Sequence, residues 1–458
     1  MAEHTLSVES TLGVLLESKR YPAIKDILST MNPVDIASVF DELEPEMLPL
    51  LFRLLPKELA AESFVEMKPD TQEQLIKGFS DNELREVVNE LYVDDAVDIV
   101  EEMPANVVQR ILAQAAPDMR KEINEILRYP EDSAGSVMTT EYVSLKSNMT
   151  VGEAIARIRK TGVDKETIYT CYVTDNHKLV GTVTVKDLLL SRSDEQMISS
   201  IMEENVISVS TSTDREEVAQ MLSKYNLLAI PVVDNENRIV GIVTFDDAMD
   251  VMEDEASEDM EIMAAMTPST KTYLDSSVWD IFLHRIPWLL LLMVSATFTG
   301  MIITGFESAL ASCVVLTAFI PMLMDTGGNS GSQSSVTIIR SLSLGELEFG
   351  DILKVIWKEI RTSVLCGIAL AVVCFGKIML VDRLLMQNPD VTPIIAAVVC
   401  ITMVLTVLVA KVIGCSLPLV AKKLGFDPAV MASPFITTIV DAVSLLLYFA
   451  TANFLLKL

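Results

Sequence analysis

Residues 434–456, PFITTIVDAVSLLLYFATANFLL, decide the architecture. The run exceeds the roughly 20 residues with which a helix crosses a hydrocarbon core. One carboxylate, Asp441, stands inside it, and the span holds no basic residue to pair with. A carboxylate at mid-membrane costs about 2.5–3.5 kcal/mol on insertion scales, so Asp441 is expected to face a polar pathway and meet a cation. The alternative is a protonated, hydrogen-bonded structural aspartate. Thr437, one turn earlier, places a hydroxyl on the same helical face.

Four more apolar segments precede this one, at about 286–306, 309–339, 363–381 and 392–421; the last span is placed at 429–456. Five spans put the termini on opposite sides, with the C-terminus outside. The connections then expected in the cytoplasm carry Arg340, Lys354, Lys358, Arg361, Lys422 and Lys423, and Arg285 precedes the first span. The outer connections carry Glu307 and the group Asp382, Arg383 and Asp390. This asymmetry obeys the positive-inside rule, and Trp279 and Trp288 fall where an inner aromatic belt is expected.

The second segment contains PMLMDTGGNSGSQSS, residues 321–335. Small residues let helices approach closely, and polar side chains line water-filled paths. Close packing accounts for the glycines, but not for Asp325, Asn329 and Gln333 together. Asp325, Gly328, Asn329 and Ser332 share one helical face and are expected to line a pore.

The 458 residues carry a net charge of −29, from 35 basic and 64 acidic side chains, yet half are hydrophobic. The mean hydropathy is +0.39. The conflict resolves by position. Residues 1–270 hold 52 acidic against 23 basic residues, whereas 271–458 hold twelve of each. So acidic a half repels nucleic acid and favours cations. The opening MAEHTLSVES lacks the basic and apolar regions of a signal peptide, so the acidic half is expected in the cytoplasm. Six scattered cysteines, Cys171, Cys313, Cys366, Cys374, Cys400 and Cys415, show no CxxC spacing and are read as reduced packing residues.

From about Glu44 to Asp118 a short unit recurs: LPKELAAESFVEMK, KPDTQEQLIKGF, SDNELREVVNELY, VDDAVDIVEEM, MPANVVQRILAQA. Each opens on Pro, Ser or Asp and carries apolar residues at helical spacing, which predicts a superhelix of short helices. Two longer copies follow. TCYVTDNHKLVGTVTVKDLL (170–189) matches AIPVVDNENRIVGIVTFDDAM (229–249): a strand, a turn, a second strand and an acidic helix start at Asp187 or Asp247. Each copy is preceded by an amphipathic helix, VGEAIARIRK or DREEVAQMLSKY. This pattern resembles a tandem of CBS domains, which implies adenine-nucleotide clefts and makes ATP a candidate ligand without assigning its contacts.

Nine acidic residues lie between Asp246 and Glu261, with no Lys or Arg from Arg238 to Lys271. Like charges at i,i+3 and i,i+4, such as Glu255/Glu258/Asp259, each cost about 0.2–0.5 kcal/mol in a helix. A solvated acidic face is the bland account, and divalent cations are the sharper one. Carboxylates, hydroxyls and amides suit Mg²⁺ or Ca²⁺; Zn²⁺ or Cu⁺ would call for His and Cys. His4, His177 and His284 are far apart and are read as surface or interface residues.

An acidic superhelix, a CBS pair, an acidic connecting helix and five spans holding PMLMDTGGNSGSQ and DPAVMASPFITTIVD resemble the MgtE-type magnesium channel family. The resemblance covers nearly the whole chain. It implies an all-α superhelical domain (1–130), two α/β CBS domains (131–200 and 201–250), a plug helix (251–275) and an α-helical pore domain (276–458). It further implies a homodimer in an inner cell membrane, with one pore between the second and fifth spans, where Asp441 holds hydrated Mg²⁺. By position, Asp94 and Asp98 would face Asp247 and Asp250 with Glu216 nearby. Glu255, Glu258 and Asp259 would be the plug acids, sharing a cation with Asp427. Mg²⁺ bridging these surfaces would close the pore.

Three departures stand out: Asp325 where some members have Gly, Ser332 where some have Asn, and Asn226 where a regulatory Asp can occur. Rival classes lack support. An intramembrane metalloprotease needs HExxH or an equivalent, which is absent. An anion channel conflicts with acidic membrane positions and with the lack of Arg or Lys near the motifs. A membrane-anchored Mg²⁺ or nucleotide sensor leaves Asp441 unexplained.

Overall fold

The computed structural model describes residues 11–457 except 17, 270 and 275; His4 and the opening ten residues lie outside the described residues. The chain divides into two compact units, 1–252 and 253–458.

The first unit opens with short helices: α1 (Tyr21–Leu28), α2 (Pro33–Asp41), α3 (Leu48–Phe52), α4 (Lys57–Val65), α5 (Pro69–Gly78), α6 (Asp81–Val88), α7 (Val93–Glu102), α8 (Ala105–Gln114) and α9 (Pro117–Ile126). Their starts follow from the sequence. Pro33, Pro69 and Pro117 occupy first-turn positions, where a missing N–H costs nothing. Ser80 and Glu83 exchange hydrogen bonds as a capping box at the start of α6. Phenylalanines of successive helices form an aromatic spine. Phe40, Phe52 and Phe64 meet edge to face at 6.4 and 6.1 Å, and Phe79 joins Phe52 at 5.1 Å.

Two three-stranded sheets follow, each with a parallel then an antiparallel pairing. The first contains β1 (Ser144–Lys146), β2 (Thr170–Asp175) and β3 (Lys178–Thr184), with α10 (Val151–Thr161) and α11 (Val185–Leu189). The second contains β4 (Val209–Ser210), β5 (Ala229–Val233) and β6 (Ile239–Thr244), with α12 (Arg215–Tyr225). The duplication extends to irregularities, since the register shifts at Val173/Thr174 in one copy and at Val232/Val233 in the other. His177 belongs to the tight β2–β3 turn, where Asn176 and His177 both have positive φ. The helix α13 (Phe245–Met263) follows β6 and contains the division between the units.

In the second unit come α14 (Val278–Gly305), α15 (Glu307–Ser312), α16 (Ile320–Ser343), α17 (Ile352–Lys377), α18 (Pro393–Lys423) and α19 (Ser433–Leu456). Among the described residues four helical stretches are long and apolar enough to cross a membrane: Val278–Gly305, Phe349–Leu385, Pro393–Lys423 and Pro428–Leu456. The segment expected at 309–339 differs. It breaks at Cys313, continues as a tight 3₁₀ turn and becomes α16 only at Ile320, because Pro321 is tolerated in the first helical turn and not further in. The 24 residues of α16 match a bilayer in length, but their polar content sets this helix apart from the other four. The central helix is α18, packed against α16, α17 and α19. Its crossing with α16 is tight enough that a Cβ on Gly414 would stand 2.2 Å from the Gly331 carbonyl oxygen.

Candidate ion sites

In the first unit, α7 carries Asp94, Asp95 and Asp98. Glu141, from the segment before β1, accepts the Val93 N–H at 3.2 Å and so caps the start of α7. Asp247 occupies the helix-start position that Asp187 holds in the first copy; Thr184 and Thr244 donate their hydroxyls to Asp187 and Asp247 respectively. Capping thus accounts for the presence of Asp247, and its surroundings add more.

Burial and the charge of Asp247 raise the carboxyl of Asp94 well above its ordinary range. The same two causes lift Asp95 to about 7 and Asp98 to about 7. Burial, then Asp95 and Asp247, lifts Glu166 to about 8. Asp98 has an exposed surface, yet its carboxyl faces the same crowd of like charges. Asp94 Oδ1 and Glu166 Oε2 are buried without a hydrogen-bond partner. Beside this crowd a cavity of about 840 Å³ is lined by Glu62, Glu66, Asp95, Glu141, Asp164 and Glu166. Carboxylates that repel one another and lack donors form a place where a cation replaces repulsion by attraction.

Asp250 is among the charges acting on Asp247. Glu216 lies on the first turn of α12, where its carboxylate accepts from Gln220 at 3.1 Å. Asn226 closes α12 in the left-handed conformation, with φ 53°, which Asn adopts more readily than most residues. The sequence reading passed over Asp95, Glu141 and Glu166. The Asp94-Asp95 doublet was a signal for the first; the other two are brought in by the fold alone.

In the second unit, the later half of α13 packs Ile262 and Met263 against Ile339, Ala429 and Ala432. Asp259 accepts the Ser343 hydroxyl at 3.1 Å, and burial raises its carboxyl, with Asp427 as the nearby like charge. Asp427 also caps the turn before α19 by accepting the Ala429 N–H at 2.7 Å. Glu255 and Glu258 occupy half-buried positions on the same helix.

On α16 the exposed positions run at four-residue steps through Asp325, Asn329 and Gln333. The Asn329 amide donates to Asp325 at 3.1 Å. Asp441 is half-buried on α19, and Asp325 is the like charge that acts on it. Gly328 and Ser332 sit off this stripe. Gly328 is buried under Thr437, whose methyl would meet a Cβ there at 2.9 Å, and the Ser332 hydroxyl bonds back to the Gly328 carbonyl. Gly328 thus serves the contact between α16 and α19. Thr437 supplies the methyl to that contact while its hydroxyl bonds the Pro434 carbonyl.

Contrary to the expectation that no Arg or Lys lies near the motifs, Lys411, in the middle of α18, is buried and donates to Ser334 of the polar motif at 3.3 Å. It stands 3.6 Å from Glu359 and is thereby paired, so it offers no open cationic path for an anion.

Among the described residues, no three Asp, Glu, His or Cys side chains converge as a metal cage. Across 95% of its length the sequence is 36% identical to the magnesium transporter MgtE of Thermus thermophilus, again over 95% of that protein. The chain belongs to the MgtE family. Residues 320–451 match MgtE, described as a divalent cation transporter; 31–132 match the MgtE intracellular N domain; 134–194 and 198–254 match CBS domains. The Bacillus subtilis magnesium transporter MgtE is 32% identical over 96% of this chain and 95% of that protein. The crystal structure of the cytosolic domain of the Mg²⁺ channel MgtE in complex with ATP superimposes with a TM-score of 0.50 at 36% identity. That likeness covers 53% of this chain and 99% of the other. Membership in this family accounts for a helical N domain, a CBS pair and apolar membrane helices in one chain.

Proposed function

We propose that this chain carries Mg²⁺ across a cell membrane, as a homodimeric channel whose acidic cytoplasmic region closes it when internal Mg²⁺ is plentiful. The observation that carries transport is the polar stripe of Asp325, Asn329 and Gln333, presented by a helix packed among apolar ones, with Asp325 the like charge beside Asp441. Such a stripe is costly against lipid and useful along a hydrated path. Asp441 would hold hydrated Mg²⁺ through water, while Asn329 orients Asp325 by its hydrogen bond. The five-span topology, with α16 as the second span and the C-terminus outside, belongs to this reading.

Closure draws on the repelling carboxylates of Asp94, Asp95, Asp98, Glu166 and Asp247. Mg²⁺ binds best where they converge, so it favours whichever state brings them together. Asp259 and Asp427, with Glu255 and Glu258 on the same helix, form a second acidic locus for a cation. ATP is a candidate ligand of the CBS pair, supported by the ATP complex of the related cytosolic domain.

The test is Mg²⁺ uptake into liposomes containing the purified protein, with Mg²⁺ on the cytoplasmic face stepped from micromolar to tens of millimolar. Flux that falls with internal Mg²⁺, and collapses in Asp441→Ala, is expected. A folded protein without flux at low Mg²⁺ would leave a sensor, and equal flux of Ca²⁺ or Mn²⁺ would leave a broader divalent transporter.

A further inference from the structure

Lys411, Glu359 and Ser334 come from three helices and meet inside the bundle. The Ser334 hydroxyl donates to Glu359 Oε2 at 2.7 Å and accepts from Lys411 Nζ at 3.3 Å. Lys411 Nζ stands 3.6 Å from the same Glu359 oxygen. Lys411 is 6% exposed and Ser334 2%. No part of the transport reading above uses these residues, yet Lys411 stands inside an apolar span, where ionisable groups are rare and mark function more often than packing.

Their place on α16 is informative. At 3.6 residues per turn, nine residues advance a helix by about two and a half turns, so Ser334 lies on the side opposite Asp325. The back of α16 is therefore anchored where its front carries the polar stripe. The anchor also flanks the closest approach in the unit. Ser334 follows Gly331 by three positions and Lys411 precedes Gly414 by three, and those two glycines touch backbone to backbone. Ser335, next along the helix and about 100° around it, donates to the Met431 carbonyl at 2.7 Å and ties α16 to the turn before α19.

Small-residue contacts such as Gly331 on Gly414 permit close approach but leave a helix free to rotate or slide. Hydrogen bonds to a charged fork have direction. A buried ion pair adds little stability compared with apolar side chains of similar size, and its best-attested use is to fix register. We propose that the Lys411–Glu359 pair, acting through Ser334, is a positioning element that sets the rotation of α16 and hence the ion-selecting geometry of Asp325, Asn329 and Gln333. The selectivity part of this inference rests on the proposed transport function; the positioning part does not.

The test compares the full-length parent with Lys411→Met/Glu359→Gln, with the charge swap Lys411→Glu/Glu359→Lys, and with Ser334→Ala, which keeps both charges. Two readouts are taken. One is the ratio of Mg²⁺ to Ca²⁺ flux in liposomes. The other is the labelling rate of Gln333→Cys by a charged thiol reagent in detergent, above the background of the unsubstituted protein. The neutral pair is expected to fold, with a melting temperature close to the parent's, while its labelling rate changes at least about fivefold and its flux ratio falls at least about tenfold. The charge swap is expected to recover most of both, as restored pairing would. Parent-like labelling and flux ratio in the neutral pair would overturn the inference. Should that variant fail to fold, Ser334→Ala decides by the same two readouts. If the parent itself carries no Mg²⁺, the transport reading fails and the labelling rate alone judges the positioning role.

Discussion

The Ser343 hydroxyl donates to Asp259 at 3.1 Å, joining the acidic helix α13 to the last residue of α16, the helix that bears the polar stripe. Around it Ile262 and Met263 pack on Ile339, Ala429 and Ala432, so the bond stands at the edge of an apolar contact. Removing the charge of Asp259 removes a proposed ligand of the bridging cation without opening that contact. Asp259→Asn is expected to shift the internal Mg²⁺ concentration that halves flux upward by about tenfold, equivalent to about 1.4 kcal/mol of differential binding. Flux measured against cytoplasmic-side Mg²⁺ checks this, and an unshifted midpoint counts against Asp259 as a closing ligand.

The carboxyls of Asp95 and Asp98, at about 7, and Glu166, at about 8, are raised above their ordinary ranges, so the folded state holds more protons than the unfolded one. Their contribution is present at low pH and is lost as pH climbs from the ordinary carboxylate range through about 7 to 8. Without divalent cations the first unit is therefore expected to melt at lower temperature at pH 8 than at pH 6. Added Mg²⁺ is expected to restore more at pH 8, since fewer protons have to leave. Thermal unfolding of the full chain in detergent at both pH values, with and without Mg²⁺, reads the effect; the opposite trend would contradict the acidic pool.

Asp325 is a like charge acting on Asp441 along the proposed path. Asp441→Ala is expected to cut Mg²⁺ flux by at least about tenfold, the rate counterpart of about 1.4 kcal/mol in a barrier. Asp325→Asn keeps a polar group beside Asn329 and is expected to lower flux less. Radiometric or dye-based uptake at micromolar internal Mg²⁺ ranks the two, and a larger effect from Asp325→Asn would move the principal ion site to α16.

Gly414 leaves no room for a side chain, with a Cβ falling 2.2 Å from the Gly331 carbonyl oxygen. Backbone rather than a flexible side chain blocks the space. Gly414→Ala is expected to force α18 and α16 apart and to destabilise the second unit by about 1–3 kcal/mol, the usual range for overpacking. A melting temperature equal to the parent's would show that the crossing can yield.

A substitution in the aromatic spine tests the first unit separately. Phe52→Ala removes the ring that meets Phe40, Phe64 and Phe79 and is expected to cost about 3–5 kcal/mol, as buried Phe truncations do. Circular dichroism during thermal unfolding is the measurement, and a loss below 1 kcal/mol, about a fivefold change in the folding constant, would demote the spine to a surface contact.

Sequence alone determined what is local or periodic. The short acidic helical unit recurs from about Glu44 to Asp118, Asp187 and Asp247 start matching helices, and the apolar runs announce themselves by length. Asp441 was legible because a carboxylate in such a run is costly wherever the chain goes next. Tertiary structure decided what depends on distant segments meeting. It gathered Asp94, Asp95, Glu141, Glu166 and Asp247 around one acidic pool, moved Gly328 from the polar face to a helix contact, and delayed the start of α16 to Ile320. It also paired Lys411 with partners 77 and 52 positions away, Ser334 and Glu359. Periodicity fixes which face of a helix is polar, but only packing chooses the neighbour against which a charge is balanced.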